Sequence, residues 1–305
     1  MLHTVDMHVG QASVAVPVVR ALIDAQFPAW QMLPITEVKG IGTVNAIFRI
    51  GDQLTARFPL QGDDPAAVLE RIRSEDAAAA KLLGRTGFPT PAPVAVGQPG
   101  DGFGLPWGVQ TWLPGVTATD RDPSDSAGFA RDLAEFVAEV RAIPTDGKTF
   151  TGPGRGGVLS SHDEWMQTCF ERSTGLLDVP RLRDVWAQMR ELPRGPDADV
   201  MSHGDLMPGN TLVSEDGRLA GVLDVGGLGP ADPALDLVGA WHLLNADVRK
   251  LFHDYLHPDE LQWQRGHAWA FQQSMGLVWY YAESNPAMSR LGRRTLDRLL
   301  ADSPC

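Results

Sequence analysis

The sequence predicts an α+β protein built in two unlike halves, and three observations carry that prediction. Up to about residue 112, short β-type runs surround a single Ala-rich helical stretch. Pro114-Gly115 then breaks the pattern, and apolar residues begin to recur at helical spacing. Among the later helices stands a polar block, Ser202-His203-Gly204-Asp205-Leu206-Met207-Pro208-Gly209-Asn210, followed by Gly221-Val222-Leu223-Asp224-Val225-Gly226. The division expected is 1–112 and 113–305.

Val18, Val19, Leu22, Ile23 and Phe27 recur at helical spacing and predict an N-terminal helix. Residues 35–39, 46–50 and 54–58 read as strands, with Gly51-Asp52 as the turn joining the last two. Residues 64–83 are Ala-rich and helical, closed by Gly84 and Gly87. Strands follow over 93–96 and 107–113. The apolar stripe Phe129, Leu133, Phe136, Val137 and Val140 then predicts a helix over 129–143. Residues 144–157, rich in Gly, Pro and Thr, read as an exposed loop. Helices are expected over 163–177, 179–191, 233–244, 258–284 and 286–301. Two short strands flanking Asp216-Gly217 form a hairpin next to the polar block.

Composition narrows the function classes. At 305 residues the chain holds one large domain or two lobes with ample core. Cys169 and Cys305 are the only cysteines, so no disulfide framework is expected, in keeping with a reducing cytoplasm. The first basic residue is Arg20, and Pro17 interrupts the early apolar run, which argues against a signal peptide. No apolar run approaches the roughly 20 residues needed to span a bilayer. A formal charge of −12 disfavours nucleic acid as a partner. It is compatible with a cationic small molecule, and equally with an ordinary acidic cytosolic protein.

The polar block carries the chemistry. It sets an Asp, an Asn five residues later, and a second Asp after a short apolar strand. That order suits phosphoryl transfer, with one carboxylate receiving a hydroxyl proton while an amide oxygen and a second carboxylate hold Mg²⁺. Asp205 stands before Pro208-Gly209 in a loop, free to face a cleft. A turn-forming Asp is the bland alternative, but it does not account for Asn210 and Asp224 at their intervals. The protein-kinase pattern H-R-D-x-x-x-x-N then D-F-G has the same order, with Gly204 here in place of Arg and Val225 in place of Phe.

These residues, with Asp232-Pro233-Ala234-Leu235-Asp236-Leu237, resemble the aminoglycoside phosphotransferase family from about Ile41 to the C-terminus. The resemblance implies a two-lobed protein-kinase-like fold, an antiparallel N-lobe sheet with one helix and a mostly helical C-lobe. It implies transfer of the γ-phosphoryl of ATP or GTP to a hydroxyl of a small molecule, an aminoglycoside or other antibiotic. Asp205 would orient the acceptor, and Asn210 and Asp224 would ligate Mg²⁺. His203 and Asp236 would support the loop, His203 by bracing it, with a general-base role in competition with Asp205 as the alternative reading. Gly42, Thr43 and Asn45 fall in a hairpin matching only part of a phosphate-covering G-x-G-x-x-G. Arg57 stands where a kinase carries its sheet Lys, with Glu75 as its expected partner. Glu70 competes, but lies about 140° away around the helix. The backbone of Thr111, Trp112 and Leu113 would meet the nucleotide base.

Trp279, Tyr280 and Glu283 are the candidate acceptor contacts, suited to a polar ring with amines; a core role for the aromatics competes. Asp232 reads as an N-cap with Pro233 in the first turn. His253-Asp254-Tyr255-Leu256-His257 comes close to a zinc motif, but Pro258 ends the helix and a solvated helix end is the better reading. A small-metabolite kinase of the same fold and a silent nucleotide-binding module remain as alternatives; a protein kinase fits less well. The module would be favoured by loss of Asp205, Asn210 or Asp224, and all three are present.

Overall fold

The computed structural model describes residues 14–38, 44–62 and 64–302. Its first half is a five-stranded antiparallel sheet of β1 (Ile35–Val38), β2 (Asn45–Ile50), β3 (Leu54–Pro59), β4 (Pro93–Gly97) and β5 (Trp107–Thr111). The spatial order is β1-β2-β3-β5-β4. Gly51 makes the β2–β3 turn with φ +56°, where a side chain would be strained. The two-residue period decides what each strand contributes. Phe48, Ile50, Ala56, Phe58, Trp107 and Val109 form one buried cluster. It is closed by Val19, Leu22 and Ile23 of helix α1 (Val16–Gln26). Residues of the opposite parity, Arg57 and Gln110 among them, face the cleft. Helix α2 (Pro65–Leu82) opens at Asp64, whose carboxylate accepts from the Ala66 amide at 2.9 Å.

After β5 the chain is mainly helical. A short strand β6 (Val116–Thr117) leads to α3 (Ala127–Arg141), whose apolar stripe from Phe129 to Val140 is fully buried. Helices α4 (Asp163–Arg172) and α5 (Val179–Met189) follow, then strand β7 (Val200–Ser202). Strands β8 (Thr211–Val213) and β9 (Leu219–Val222) form the expected hairpin, and β8 pairs on its other edge with β6. Strand β10 (Gly229–Ala231) returns antiparallel to β7. Helices α6 (Gly239–Leu243), α7 (Ala246–Leu256), α8 (Glu260–Tyr280) and α9 (Pro286–Asp302) complete the chain. From Arg265 to Val278 every residue of α8 except His267 is buried, so it is the axis of this half. No helix among the described residues is long and apolar enough to cross a membrane.

Several expectations change in the structure. The helix expected over 233–244 is a single 3-10 turn, Leu235–Val238, leading into the short α6. Asp232 also does more than cap: it is buried and paired to the buried Arg265, with Nη2–Oδ2 at 2.5 Å. The helix expected over 258–284 begins at Glu260, because Asp259 caps it through the Gln262 amide at 2.7 Å. Helix α7 was not anticipated; it buries only Arg249 and Phe252, so its apolar signal is thin. The loop over 144–157 is largely exposed but anchored at its end. The Asp232 amide donates to the Gly156 carbonyl at 2.9 Å, and Arg265 donates to the Gly157 carbonyl at 2.7 Å.

Candidate active site

The polar block folds as a bracket between β7 and β8. Gly204 adopts φ +82°, a conformation open to glycine and costly to the Arg of the protein-kinase pattern. This turns the His203 and Gly204 amides toward Asp236, whose two carboxylate oxygens accept from them at 2.8 Å each. The His203 ring bonds the Leu223 carbonyl through Nε2 at 2.9 Å and takes the Asp205 amide at Nδ1 at 3.3 Å. Both ring nitrogens are thus spent on the backbone, which is a bracing geometry.

Asp205 is held by three donors. Its Oδ1 accepts from Arg155 Nη2 at 2.9 Å and from Gln273 Nε2 at 2.6 Å. Its Oδ2 accepts from Asn210 Nδ2 at 2.9 Å, and the same amide group also donates to the Asp205 carbonyl. Gln273 is itself oriented by the buried His242, whose Nε2 lies 3.0 Å from Gln273 Oε1, with Nδ1 3.1 Å from Thr295 Oγ1. Burial pushes the His242 pKa down to about 4, so the imidazole is neutral at physiological pH. As a neutral ring it donates once, to Gln273, and accepts once, from Thr295. Arg155, Gln273 and His242 were not legible as site residues. Arg155 sits in a loop with no periodicity, and the other two look like helix interior.

Asp224 follows β9 in the left-handed region, with φ +55°. Asp tolerates this better than most residues, and it aims the carboxylate out of the strand line into the cleft. There it accepts from Arg57 Nη2 at 2.9 Å. This corrects the expected Arg57–Glu75 pair. Arg57 projects from the cleft face of β3 and meets Asp224 first. Glu75 packs its Cβ and Cγ over Gly226, where a Cβ would stand within 2.8 Å, and its carboxylate faces Arg71 at 3.9 Å.

Asn45, Arg57, Thr111, Trp112, Leu113, Asp205, Asn210 and Asp224 line one cleft of about 340 Å³. Gly42 and Thr43 lie outside the described residues. A second, larger cavity of about 890 Å³ opens on the helical side, floored by α8. Asp205, Met207 and Met288 belong to the walls of both hollows, so the two meet at Asp205.

Of the expected acceptor contacts, Tyr280 lines the large cavity, while Trp279 and Glu283 do not. The helical period explains the correction: Gln273, Gly276, Leu277 and Tyr280 share the cavity face of α8, and position 279 lies off it. Trp279 packs instead on Trp165, ring centroids 5.9 Å apart, and Glu283 is exposed. His253 and His257 stand at the end of α7, and among the described residues no group of three His, Cys, Asp or Glu is placed to hold a metal ion.

A sheet-and-helix first half joined to a helical second half, with the polar block between them, defines the two-lobed protein-kinase-like α+β fold. The GDP and kanamycin complex of APH(2")-IIia superposes with a TM-score of 0.69 at 18% identity, covering 94% of this chain and 99% of that one. Macrolide 2'-phosphotransferase MphH from Brachybacterium faecium superposes with a TM-score of 0.61 at 19% identity, covering 91% and 98%. The chain belongs to the phosphotransferase enzyme family, whose profile it matches over residues 35–270, more than half its length. It is 28% identical over 166 residues to an aminoglycoside 3'-phosphotransferase of Salmonella typhimurium, covering 49% of this chain and 58% of that protein. It is 29% identical over 173 residues to the corresponding enzyme of Streptomyces fradiae, covering 54% and 62%. The matched regions span little more than half the length of these curated relatives.

Proposed function

We propose that this protein transfers the γ-phosphoryl group of ATP or GTP to a hydroxyl of a small molecule, in the antibiotic-modifying manner of its aminoglycoside and macrolide phosphotransferase relatives. The observation that carries the reading is the meeting of two hollows at one carboxylate, Asp205. The nucleotide occupies the smaller cleft and the acceptor the larger cavity. The lobes divide at Trp112 and Leu113. The amides of Thr111 and Trp112 already donate to the Ala92 and Gln53 carbonyls, so we assign the Leu113 amide as the donor to the base. Arg57 holds phosphate oxygens, a task for which its planar fork is suited.

Asp224 and Asn210 offer hard oxygen donors on the wall of the same cleft, which fits Mg²⁺. Two protein ligands suffice for an ion that takes its remaining ligands from phosphates and water. Bound there, Mg²⁺ would neutralise the phosphate charge. Asp205 receives the proton of the attacking hydroxyl while Asn210, Gln273 and Arg155 keep its carboxylate aimed between the hollows. His203 and Asp236 hold the backbone beneath it. The setting that supplies both nucleotide and Mg²⁺ is the cytoplasm.

The test is Asp205→Ala. Losing a positioned base costs about 10²–10⁴ in rate, whereas nucleotide affinity should persist because Asp205 is not among the proposed metal and phosphate ligands. Coupled nucleotide consumption and calorimetric nucleotide binding read the two effects separately. Near-normal turnover in the variant would refute the assignment.

A further inference from the structure

We infer that the acceptor is a mostly apolar ring alcohol carrying at most one positive charge, and that Arg155 makes the site discriminate against polyamines. The inference rests on the proposed phosphoryl-transfer reading and narrows its acceptor.

The acidity of the chain is not concentrated in the acceptor cavity. Among the described residues that line it Asp205 is the only carboxylate and Arg155 the only Arg or Lys, and the two are paired at 2.9 Å. His162 also lines it; burial pushes its pKa down and the Arg155 charge adds to that, so it is neutral at physiological pH. A polyamine bound there would meet no unpaired carboxylate, and its ammonium groups would face the Arg155 guanidinium at the point where chemistry must occur. Like charges brought together in this way are a recognised means of rejecting a partner.

Arg155 is built in. The chain that follows it is tied down: the Gly156 and Gly157 carbonyls accept from the Asp232 amide and from Arg265. A Cβ on Gly156 would stand 2.8 Å from Ala231, so the loop is pressed against β10. The anchored backbone and the 2.9 Å contact with Asp205 together hold the guanidinium at the reacting end of the cavity.

The remaining walls suit an apolar body with scattered oxygens. Phe150, Trp165, Leu277, Tyr280 and Met288 supply large apolar surfaces. The uncharged side chains of Gln272, Gln273 and Tyr281 stand among them, adding polarity without charge. At about 890 Å³ the cavity takes a large ring compound.

The test uses two probes, kanamycin as the polyamine and erythromycin as a macrocyclic lactone bearing one amine. Each is titrated calorimetrically into wild type, Arg155→Gln and Arg155→Lys, with Mg²⁺ and a non-hydrolysable ATP analogue present. Erythromycin should bind wild type at least about tenfold more tightly than kanamycin. That preference should shrink by about tenfold in Arg155→Gln and persist in Arg155→Lys, which keeps the charge. Equal or tighter kanamycin binding, failure of both probes to bind, or a preference unmoved by Arg155→Gln would each overturn the inference. Non-hydrolysable ATP and GTP analogues are each titrated alone into wild type in parallel, with Asp224→Ala as the expected weak binder. Absence of Mg²⁺-dependent binding of both analogues to wild type would overturn the underlying reading, whatever the acceptors do.

Discussion

Asp236 carries the loop that presents Asp205, and its removal can be worked through from the geometry. The side chain is 2% exposed and accepts from two backbone amides, His203 and Gly204, at 2.8 Å each. In Asp236→Ala both amides lose their acceptor. An unsatisfied buried donor costs about 1–3 kcal/mol, so with two donors the variant should lose roughly 2–6 kcal/mol of stability. A further part comes from Arg141. Burial lowers its pKa, and Asp236 is the larger of the two carboxylate charges that oppose this. Asp236→Asn keeps one acceptor oxygen but turns an NH₂ group toward the other amide, so it should recover about half the loss. The effect on catalysis should exceed the effect on nucleotide binding. A displacement of the Asp205 carboxylate by about 1 Å costs on the order of 10²-fold in rate. Urea unfolding gives the first quantity and nucleotide consumption below the unfolding midpoint gives the second. A stability loss under about 1 kcal/mol with kcat within about threefold of wild type would refute the bracing argument.

Other consequences follow from the same geometry. Asp224→Ala should weaken Mg²⁺-dependent nucleotide binding, and Asn210→Ala should do so less, since it also holds Asp205; Mg²⁺ titration at fixed nucleotide checks this, and an unchanged requirement in both would be decisive against it. His242 has a folded pKa depressed from 6.5 to about 4 by burial. Its contribution to stability is complete above pH 6.5 and declines as pH falls toward 4, because the unfolded chain takes up the proton first; the full effect is about 3 kcal/mol. The stability gap between wild type and His242→Gln should therefore narrow from pH 7.5 to pH 5, and a constant gap in urea midpoints would contradict the assignment. The proposed phosphoryl transfer should not require phosphorylation of the chain itself. Gly204 cannot sense an activation-loop phosphate, and residues 224–240 contain no Ser, Thr or Tyr; a large loss of activity on phosphatase treatment would contradict this.

The sequence by itself determined what depends on local order along the chain. Alternation in β2 and β3 set which residues faced the core, and the stripe from Phe129 to Val140 set the buried face of α3. The spacing of Asp205, Asn210 and Asp224 pointed to the proposed phosphoryl-transfer site because these residues lie in one loop and one hairpin, where a few residues of separation translate into a few ångströms. Tertiary structure decided everything that depends on which distant groups arrive first. Arg57 had Glu75 as its expected partner, yet Asp224, 167 residues away, turns its carboxylate into reach by a left-handed backbone. Trp279 was adjacent to the cavity in sequence and off its face in space, because a helix turns 100° per residue, and Glu283 lies in the exposed turn beyond the end of α8. Arg155 left no mark in a Gly-rich loop. Its place at Asp205 is set by Asp232 and Arg265, which pin that loop from remote parts of the chain. A pattern of residue types records propensities and short distances. The partner of a charged side chain is set by competition among all groups within reach, and that competition is settled only when the chain has packed.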